Sequence, residues 1–431
     1  MNYLIFIVII TFITLNRHNC QYMKTILIVG VAFVTLREYV INNDMEYVIL
    51  LDKRKPSKNI DSKRVIPCDF SSKKSILAAL KLVKEGFNIN GVIATYENYV
   101  LPAAIISKEL GLPGIPISAA EACTDKVLMR DLFNKCPVKI SPNYMQINDI
   151  SDLLYFADQN NFPLILKPAN LAKSLLVIRC DNIQELKEGY RKLTHNIDKI
   201  YTKYAPNRKP KILVEEYIKG SIHSVDAFVD SDGSPQVLEQ VVDYETGFDV
   251  GYDDNFHYSR ILPSRLSFEQ IESIRETARL GCKALGMKNT PAHIEIILSN
   301  HGPKIVEIGA RNGGYRERMH KLADGIDILK NAIALATNDK LDLKAQKHSN
   351  CAVLEIFPKK SGIFKSISYE SDLKNCKSLN YFALKQKIGT FVGKSSEGYK
   401  MCAIIILENS DQKIFYSDLK FIRENIKALT V

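Results

Sequence analysis

The chain has 431 residues, 46% of them hydrophobic, so it can form two or three domains with ordinary buried cores. Its net charge of +10 comes without a nucleic-acid recognition motif, so we expect an anionic small molecule, such as a nucleotide, and no nucleic acid as partner. Its nine cysteines show no CxxC or Cys/His spacing, which argues against zinc and disulfides and favours a reducing, cytoplasmic environment.

Residues 1–22 form a segment of their own. Tyr3–Leu15 is apolar but too short for a confident membrane span, and no Lys or Arg precedes it as in a signal peptide. Met23 then begins a new pattern that leads into a buried strand. We therefore expect either a start codon placed too early or a weak N-terminal membrane anchor, with membrane contact only if residues 3–15 are retained.

Residues 23–118 alternate short apolar runs with helical patterns, which predicts a parallel sheet covered by helices. No GxGxxG follows the first strand, which argues against a dinucleotide-binding oxidoreductase. A helix is expected to begin at Ser71 or Ser72, and another covers Leu101–Leu110. The predicted strands are Lys24–Gly30, Tyr47–Leu51, Gly91–Thr95 and, more weakly, Val65–Pro67.

A second unit is predicted over residues 119–345, and a smaller α/β segment over 346–431. The basic stretch 201–211 is expected to be a loop. Predicted helices cover Ala119–Asn134, a segment near Ile150–Asn160, a segment from Asp181 or Asn182 to Leu193, and 266–286. Predicted strands cover Pro163–Pro168, Ser174–Ile178, Ile212–Tyr217, Ser224–Val229, Ala352–Phe357 and Met401–Leu407.

A hairpin late in the second unit carries two facing carboxylates. His293–Leu298 and Lys304–Ile308 alternate with strand period around a turn-forming cluster. A turn centred on His301 would place Glu295 opposite Glu307. Like charges directly opposite destabilise a sheet, so a shared divalent cation is favoured over a merely solvated face.

Arg311 lies in a glycine-rich turn four residues beyond Glu307. Two carboxylates with an adjacent arginine suit a polyphosphate, because a cation bridges its oxygens and the guanidinium neutralises developing charge. The alternative is a simple ion pair between Arg311 and Glu307.

The order of these elements resembles the ATP-grasp superfamily, from residue 24 to near the end of the chain. The resemblance rests on four further segments together with Glu295: Thr124–Arg130, Leu164–Ala169, Leu213–Gly220 and Glu307–Gly314. It implies an α/β fold with an N-terminal parallel-sheet domain (23–118), a two-lobed ATP-grasp domain (119–345, lid lobe about 135–211) and a small C-terminal α/β subdomain (346–431).

The resemblance also implies residue roles. Lys126, Lys167 and Ser174 would contact the phosphates of ATP. Glu215 or Glu216 would accept from the adenine amino group, the other being an exposed edge residue, and the backbone through Ile218 would complete adenine binding. Glu295 and Glu307 would bind Mg²⁺, with Mn²⁺ as an alternative. Catalytic roles would fall to Arg311 on the phosphoryl group and to His257 near the substrate, with a structural His257 as the other reading.

Three positions depart from the usual family pattern. The loop 170–176 lacks the usual glycines, and Ile222 stands where a ribose-binding glutamate is common. Gly309 replaces a frequent asparagine, and this form resembles the L-amino-acid ligase branch of carboxylate–amine ligases.

The implied activity is ATP-dependent ligation of a carboxylate and an amine, amino acids included, through an acyl phosphate. Two alternatives stay open: a catalytically impaired ATP-binding protein of the same fold, and an enzyme of intermediary metabolism such as a carboxylase or purine-pathway ligase. The sequence also leaves a homodimer open.

Overall fold

A computed structural model describes residues 23–31, 33–55, 60–171, 176–205 and 208–431. The predictions made for residues 1–22 and for Ser174 lie outside these ranges. No helix within them is long and apolar enough to cross a membrane.

The first sheet is parallel, with strand order β3-β2-β1-β4, as the alternation of strands and helices predicted. Ser72 caps its second helix by accepting a hydrogen bond from the Ser75 N–H (3.1 Å). The strands are β1 (Thr25–Gly30), β2 (Glu46–Asp52), β3 (Val65–Cys68) and β4 (Ile89–Ala94), with helices α1 (Val34–Asn42), α2 (Lys73–Gly86) and α3 (Val100–Leu110).

Two short helices, α4 (Ile117–Thr124) and α5 (Lys126–Phe133), replace the single helix predicted over 119–134. The break lies at Asp125, which has extended backbone angles and accepts from the N–H groups of Val127 and Leu128. Aspartate competes for backbone donors in this way, which favours a cap over a helix interior. The break makes Lys126 the first residue of α5.

The second sheet is antiparallel, with order β5-β8-β6-β7. The strand with the Glu215–Glu216 pair is therefore interior, and the prediction that one glutamate lies on an exposed edge is wrong. The strands are β5 (Tyr144–Ile147), β6 (Leu164–Pro168), β7 (Ile178–Cys180) and β8 (Ile212–Glu216), with helices α6 (Ile150–Gln159) and α7 (Ile183–Tyr204). Helix α7 also includes residues 201–204, which were expected in a loop.

The largest sheet has nine strands in the order β14-β13-β9-β11-β12-β15-β19-β17, with β10 paired to β9. Its strands are β9 (Gly220–Val229), β10 (Pro235–Val237), β11 (Val242–Thr246), β12 (His257–Leu262), β13 (Thr290–Ser299), β14 (Gly302–Gly309), β15 (Asn350–Ile356), β17 (Leu379–Leu384) and β19 (Ala403–Asn409). Three strands of the C-terminal segment thus extend this sheet, so the segment is continuous with the middle of the chain.

The remaining elements cover the large sheet and close the C-terminal end. A small sheet has the order β18-β16-β20. Its strands are β16 (Gly362–Ile367), β18 (Phe391–Val392) and β20 (Ala428–Thr430), and the remaining helices are α8 (Phe268–Ala284), α9 (Arg316–Ala323), α10 (Ile328–Thr337) and α11 (Gln412–Asn425).

The two faces of the large sheet differ in chemistry. Val225 and Ile294 point towards α8 and pack in a buried cluster with Ile274 and Ala278. Because side chains alternate along a strand, their neighbours Ser224 and Glu295 face the opposite side. One face of β9 and β13 is therefore a core, and the other carries polar groups.

The predicted cross-strand pair of Glu295 and Glu307 is confirmed, although the turn is not the one expected. Ser299 pairs with Gly302, so the turn is one residue tighter than a turn centred on His301. A bulge after Glu295 places Val306 as an extra residue on β14 and shifts the register back by one. The tighter turn and the bulge cancel, which restores the pairing of the glutamates.

Gly220 gives a test of the packing between β9 and β13. A Cβ there would lie 2.2 Å from the Leu298 carbonyl oxygen, which is backbone and cannot rotate away. We expect Gly220→Ala to lower the free energy of unfolding by about 1–3 kcal/mol, measured by chemical denaturation.

Gly86, the last residue of α2, is the matched control because a Cβ there meets nothing within 4 Å. Gly86→Ala should be neutral or stabilise by up to ~1 kcal/mol. Equal effects of the two substitutions would contradict the close approach of the backbones at Gly220.

Candidate functional site

The polar face of the large sheet gathers carboxylates on two adjacent strands. Glu295 on β13 and Glu307 on β14 lie opposite each other, with side chains 30% and 22% exposed. Glu295 Oε1 lies 3.7 Å from His293 Nε2. Burial alone would raise the pKa of Glu295, but the nearby imidazoles of His293 and His257 outweigh it and hold this pKa well below its usual range.

Lys126 joins this face from the start of α5. Its Nζ lies 2.9 Å from Glu307 Oε2 and donates to the Leu171 carbonyl (3.2 Å). Its backbone N–H donates to the Ala169 carbonyl (2.9 Å), at the end of β6. The Asp125 cap and this backbone bond together orient the lysine towards the second carboxylate.

Lys167 and Glu215 form a buried pair between β6 and β8. Lys167 Nζ donates to Glu215 Oε2 (2.5 Å), and Arg130 Nε donates to the other oxygen (2.8 Å). Burial lowers the pKa of Lys167, with Glu215 opposing the shift. Burial would raise the pKa of Glu215, but Arg130 and Lys167 outweigh it, so this pKa is lowered and the carboxylate stays charged.

The segment after β8 leaves two of its backbone N–H groups without an acceptor among the described residues. The N–H groups of Glu216 and Tyr217 donate to the carbonyls of Asn143 (3.0 Å) and Pro163 (3.1 Å). The two that lack an acceptor there are the N–H groups of Ile218 and Lys219. The Glu216 side chain is half-buried, with Lys139 Nζ at 3.5 Å. The Ile218 N–H is thus available to an acceptor from outside the chain.

Arg311 pairs with Glu97, which follows the last strand of the first sheet. Its Nε lies 3.1 Å from Glu97 Oε2, and Nη1 donates to the Asn312 carbonyl (2.9 Å). Burial would lower the pKa of Arg311, but Glu97, Glu307 and Glu295 outweigh it and raise this pKa. The suggested ion pair between Arg311 and Glu307 is replaced by one with Glu97. Glu307 is still close enough for its charge to raise the pKa of Arg311.

His257, at the start of β12, lies against Tyr244, with ring centroids 4.4 Å apart in an edge arrangement. Burial lowers its pKa to about 4, although the charge of Glu295 opposes the shift. The imidazole is therefore neutral near pH 7 and can donate from one nitrogen while it accepts at the other.

A buried ionic cluster lies beside Glu295 on the polar face of the large sheet. Asp226 Oδ1 lies 2.9 Å from His293 Nδ1, and Oδ2 lies 3.2 Å from Arg316 Nε. Arg316 is fully buried and also donates to Ser224 Oγ (2.8 Å) and Tyr244 Oη (2.6 Å). These contacts fix the His293 ring and, through it, the orientation of Glu295.

The sequence analysis assigned no site role to three charged residues. Arg130 contacts Glu215 and the Val306 carbonyl, Glu97 contacts Arg311, and Arg208 donates to the Asn170 carbonyl (2.7 Å) beside Lys126. Arg208 belongs to the basic stretch 201–211, and this cluster of positive charge was a sequence signal that could have pointed to Arg208. Arg130 is 176 residues from Val306 on β14, and Glu97 is 214 residues from Arg311 just beyond that strand. No local sequence pattern indicates contacts between residues so far apart in the chain.

Two departures from the family pattern are visible around the site. Ile222 is half-buried and packs beside a cluster of apolar residues on the polar face of the large sheet. It offers no carboxylate, so a ribose would meet an apolar surface there. Leu176, at the end of the glycine-poor loop, has a left-handed φ of +56°.

The donor set fits a magnesium ion that is shared with phosphates. Within the described ranges, no group of three or more His, Cys, Asp or Glu side chains could hold a metal alone. Mg²⁺ is commonly held by one or two carboxylates together with phosphate oxygens and water. Glu295 and Glu307 are two partly exposed carboxylates beside Lys126, so a cation there would lie where it can bridge to a phosphate.

Comparison with known proteins agrees with this geometry. Residues 160–317 match the family described as the ATP-grasp domain. Alanine–anticapsin ligase of Bacillus subtilis is 26% identical over 242 residues, 54% of this chain and 50% of that protein. Phosphoribosylamine–glycine ligase of Methanococcus vannielii is 28% identical over 230 residues, 49% of this chain and 50% of that protein. The chain thus spans about half the length of these curated relatives.

Solved structures extend the similarity to almost the whole chain. The L-amino acid ligase from Bacillus licheniformis superposes with a TM-score of 0.78 at 18% identity, covering 95% of this chain and 99% of that one. Phosphoribosylglycinamide synthetase from Anaerococcus prevotii gives 0.68 at 18% identity, covering 95% and 100%. The predicted ATP-grasp fold, with its N-terminal parallel sheet, is confirmed.

Arg130 gives a test of the buried ionic contacts. Arg130→Met leaves Glu215 with one cation and the Val306 carbonyl without a donor, so we expect a loss of about 3–5 kcal/mol in the free energy of unfolding. The control is Arg279→Met, which removes an exposed pair with Glu276 (3.0 Å) and should cost under ~1 kcal/mol. Similar losses in urea denaturation would contradict a structural role for Arg130.

His257 gives a pH test. Its folded pKa of about 4 lies below the unfolded value, so the unfolded chain takes up the proton first as pH falls from about 6.5 to 4. His257 should therefore destabilise the fold by ~3 kcal/mol across that window, and His257→Gln should remove this component. A His257 ring resonance that titrates above pH 6 in metal-free protein would contradict the assignment.

Proposed function

We propose that this chain, which has the ATP-grasp fold and carries an ATP-grasp domain, is an ATP-dependent carboxylate–amine ligase. The observation that carries the proposal is the convergence of Glu295, Glu307 and Lys126 on one face of the sheet, with Lys126 Nζ 2.9 Å from Glu307. Lys167 approaches from the neighbouring sheet and Arg311 from the loop after β14. Cationic groups on both sides of a carboxylate pair are what a metal–triphosphate complex needs.

The proposed reaction has two steps. A carboxylate oxygen of the first substrate attacks the γ-phosphorus of ATP, the bond to the bridging oxygen breaks, and ADP leaves. The nitrogen of the amine substrate then attacks the acyl carbon, phosphate leaves, and the amine proton passes to phosphate or solvent. The products are an amide, ADP and phosphate.

The residues of the chain would share this work as the geometry suggests. Lys126 and Lys167 would bind phosphate oxygens, and the Ile218 N–H would bind the adenine edge. Arg311, held by Glu97, would neutralise charge on the transferring phosphoryl group. His257, neutral near pH 7, would hydrogen-bond the substrate.

Glu295 and Glu307 would hold Mg²⁺, or Mn²⁺ in its place. The metal would supply charge neutralisation on the phosphate oxygens. The protein's part is to hold both carboxylates in register, and the hairpin and its bulge achieve this.

We keep the domain boundaries that the sequence predicted. Residues 23–118 would form the first domain, 119–345 the ATP-grasp domain with its lid lobe near 135–211, and 346–431 the C-terminal part. The need for a nucleoside triphosphate and the scattered, unpaired cysteines both favour a cytoplasmic location. A homodimer is compatible with the proposal.

The test is phosphate release from ATP with mixtures of amino acids and small acids, with products identified by mass. We expect Glu307→Gln and Glu295→Gln each to lower turnover by roughly 100-fold, because each removes a carboxylate that neutralises metal charge at the phosphates. Glu276→Gln is the control, because Glu276 is 61% exposed on α8 and, within the described part of the chain, pairs with Arg279 alone.

Equal phosphate release by wild type and Glu307→Gln under every substrate combination would rule out the ligase proposal. Calorimetry with Mg²⁺ and ATP separates the remaining alternatives. Binding without turnover favours an impaired ATP-binding protein, for which the apolar Ile222 is the supporting observation. Turnover only with bicarbonate or a nucleotide-linked acid favours intermediary metabolism.

A further inference from the structure

Arg260 lies on β12, on the same face of the large sheet as the candidate site. It pairs in register with Tyr244 on β11 and Val353 on β15. Tyr244 is the residue that contacts both His257 and Arg316. Because side chains alternate along strands, Arg260 shares the face that carries Glu295, which lies on β13, three strands away.

The Arg260 guanidinium is held in one orientation by aromatic rings. Its carbon lies 5.8 Å from the ring centroid of Tyr244 and 5.1 Å from that of Tyr315. Stacking of this kind holds a guanidinium plane without using its N–H groups. Tyr315 has a left-handed φ of +64°, which is uncommon for a bulky residue and marks a backbone held in place by its surroundings.

Glu355 lies beside Arg260 without saturating it. Glu355 Oε1 lies 3.5 Å from Arg260 Nη1 and accepts a hydrogen bond from the Tyr315 hydroxyl (2.8 Å). Arg260 Nη1 also donates to the His257 carbonyl (3.2 Å). Both intramolecular partners of Arg260 are therefore on the same terminal nitrogen.

The other edge of the guanidinium is formed by Nε and Nη2. Nε and Nη2 of Arg260 have no acceptor among the described residues, and neither is among the fully enclosed polar atoms that lack a partner. These two nitrogens form the fork that binds a carboxylate through two parallel hydrogen bonds. A purely structural ion pair would be expected to use that fork for Glu355.

We propose that Arg260 binds the free carboxylate of the amine substrate, oriented by Glu355, Tyr244 and Tyr315. This inference rests on the proposed ligase function and assigns a specificity residue to it. The acceptor is then an amine that also carries a carboxylate. A simple amine, or the carboxamide of the same acceptor, leaves the Arg260 fork without its anionic partner.

The experiment compares two acceptors that differ only at this carboxylate. After the substrate screen, the best amino acid acceptor and its C-terminal carboxamide are compared by kcat/KM for wild type and variants. A charge-assisted bidentate contact predicts that wild type prefers the acid by roughly 10–100-fold. Arg260→Met should bring this ratio to about one, mainly through a higher KM for the acid.

Arg260→Lys and Arg318→Met complete the design. Arg260→Lys keeps the charge and loses the fork, so its acid-to-amide ratio should fall between those of wild type and Arg260→Met. It also provides a second variant if the methionine substitution prevents folding. Arg318 stacks on the Tyr381 ring at 4.4 Å and donates to Asn380, both on the edge strand β17, three strands from Arg260, so Arg318→Met should keep the wild-type ratio.

Hydroxylamine separates failure of this inference from failure of the proposed function. It traps an acyl phosphate as a hydroxamate without any acceptor carboxylate. Hydroxamate formed by wild type, together with equal use of acid and amide, overturns the assignment of Arg260 alone. An unchanged ratio in Arg260→Met does the same. Absence of hydroxamate from every carboxylate tested overturns the ligase function and the assignment together.

Discussion

The arrangement of the site depends on one fully buried arginine. Arg130, on the short helix α5, donates to Glu215 of the second sheet (2.8 Å) and to the Val306 carbonyl of the large sheet (2.7 Å). Glu215 in turn binds Lys167. A charge without contact to water is tolerated only when it is paired, so the relative position of two sheets and a helix is tied to these bonds. Lys126 is the first residue of the same helix, so the bonds of Arg130 also set the position of Lys126.

The bulge on β14 connects the buried Arg130 to the facing carboxylates of Glu295 and Glu307. An extra residue in one strand leaves a carbonyl outside the regular ladder, and here the carbonyl of Val306 is the one that Arg130 binds. The same extra residue brings Glu307 back opposite Glu295. One local irregularity thus aligns the two acidic side chains and anchors the buried arginine.

The sequence was sufficient where the signal is local or repeats with a clear period. Strand alternation predicted the parallel first sheet, and the facing pair Glu295–Glu307 followed from a hairpin pattern, although an error in the turn was cancelled by an unpredicted bulge on β14. Asp125 shows the limit: it lies within a pattern that reads as one helix, and only its cap bonds end α4. The partners of Arg130 and Glu97 are separated from them by most of the chain, so tertiary packing alone reveals them.

The contact between Lys126 and Glu307 has a thermodynamic consequence. A cation that approaches Glu307 by itself meets the ammonium group, and a polyphosphate that approaches Lys126 by itself meets the carboxylate. When both arrive, each side chain exchanges its intramolecular partner for a ligand of opposite sign. The first ligand therefore raises the affinity for the second, and linkage requires the enhancement to be equal in both directions. Mutual neutralisation of Lys126 and Glu307 would thus become cooperativity between a polyphosphate and a cation.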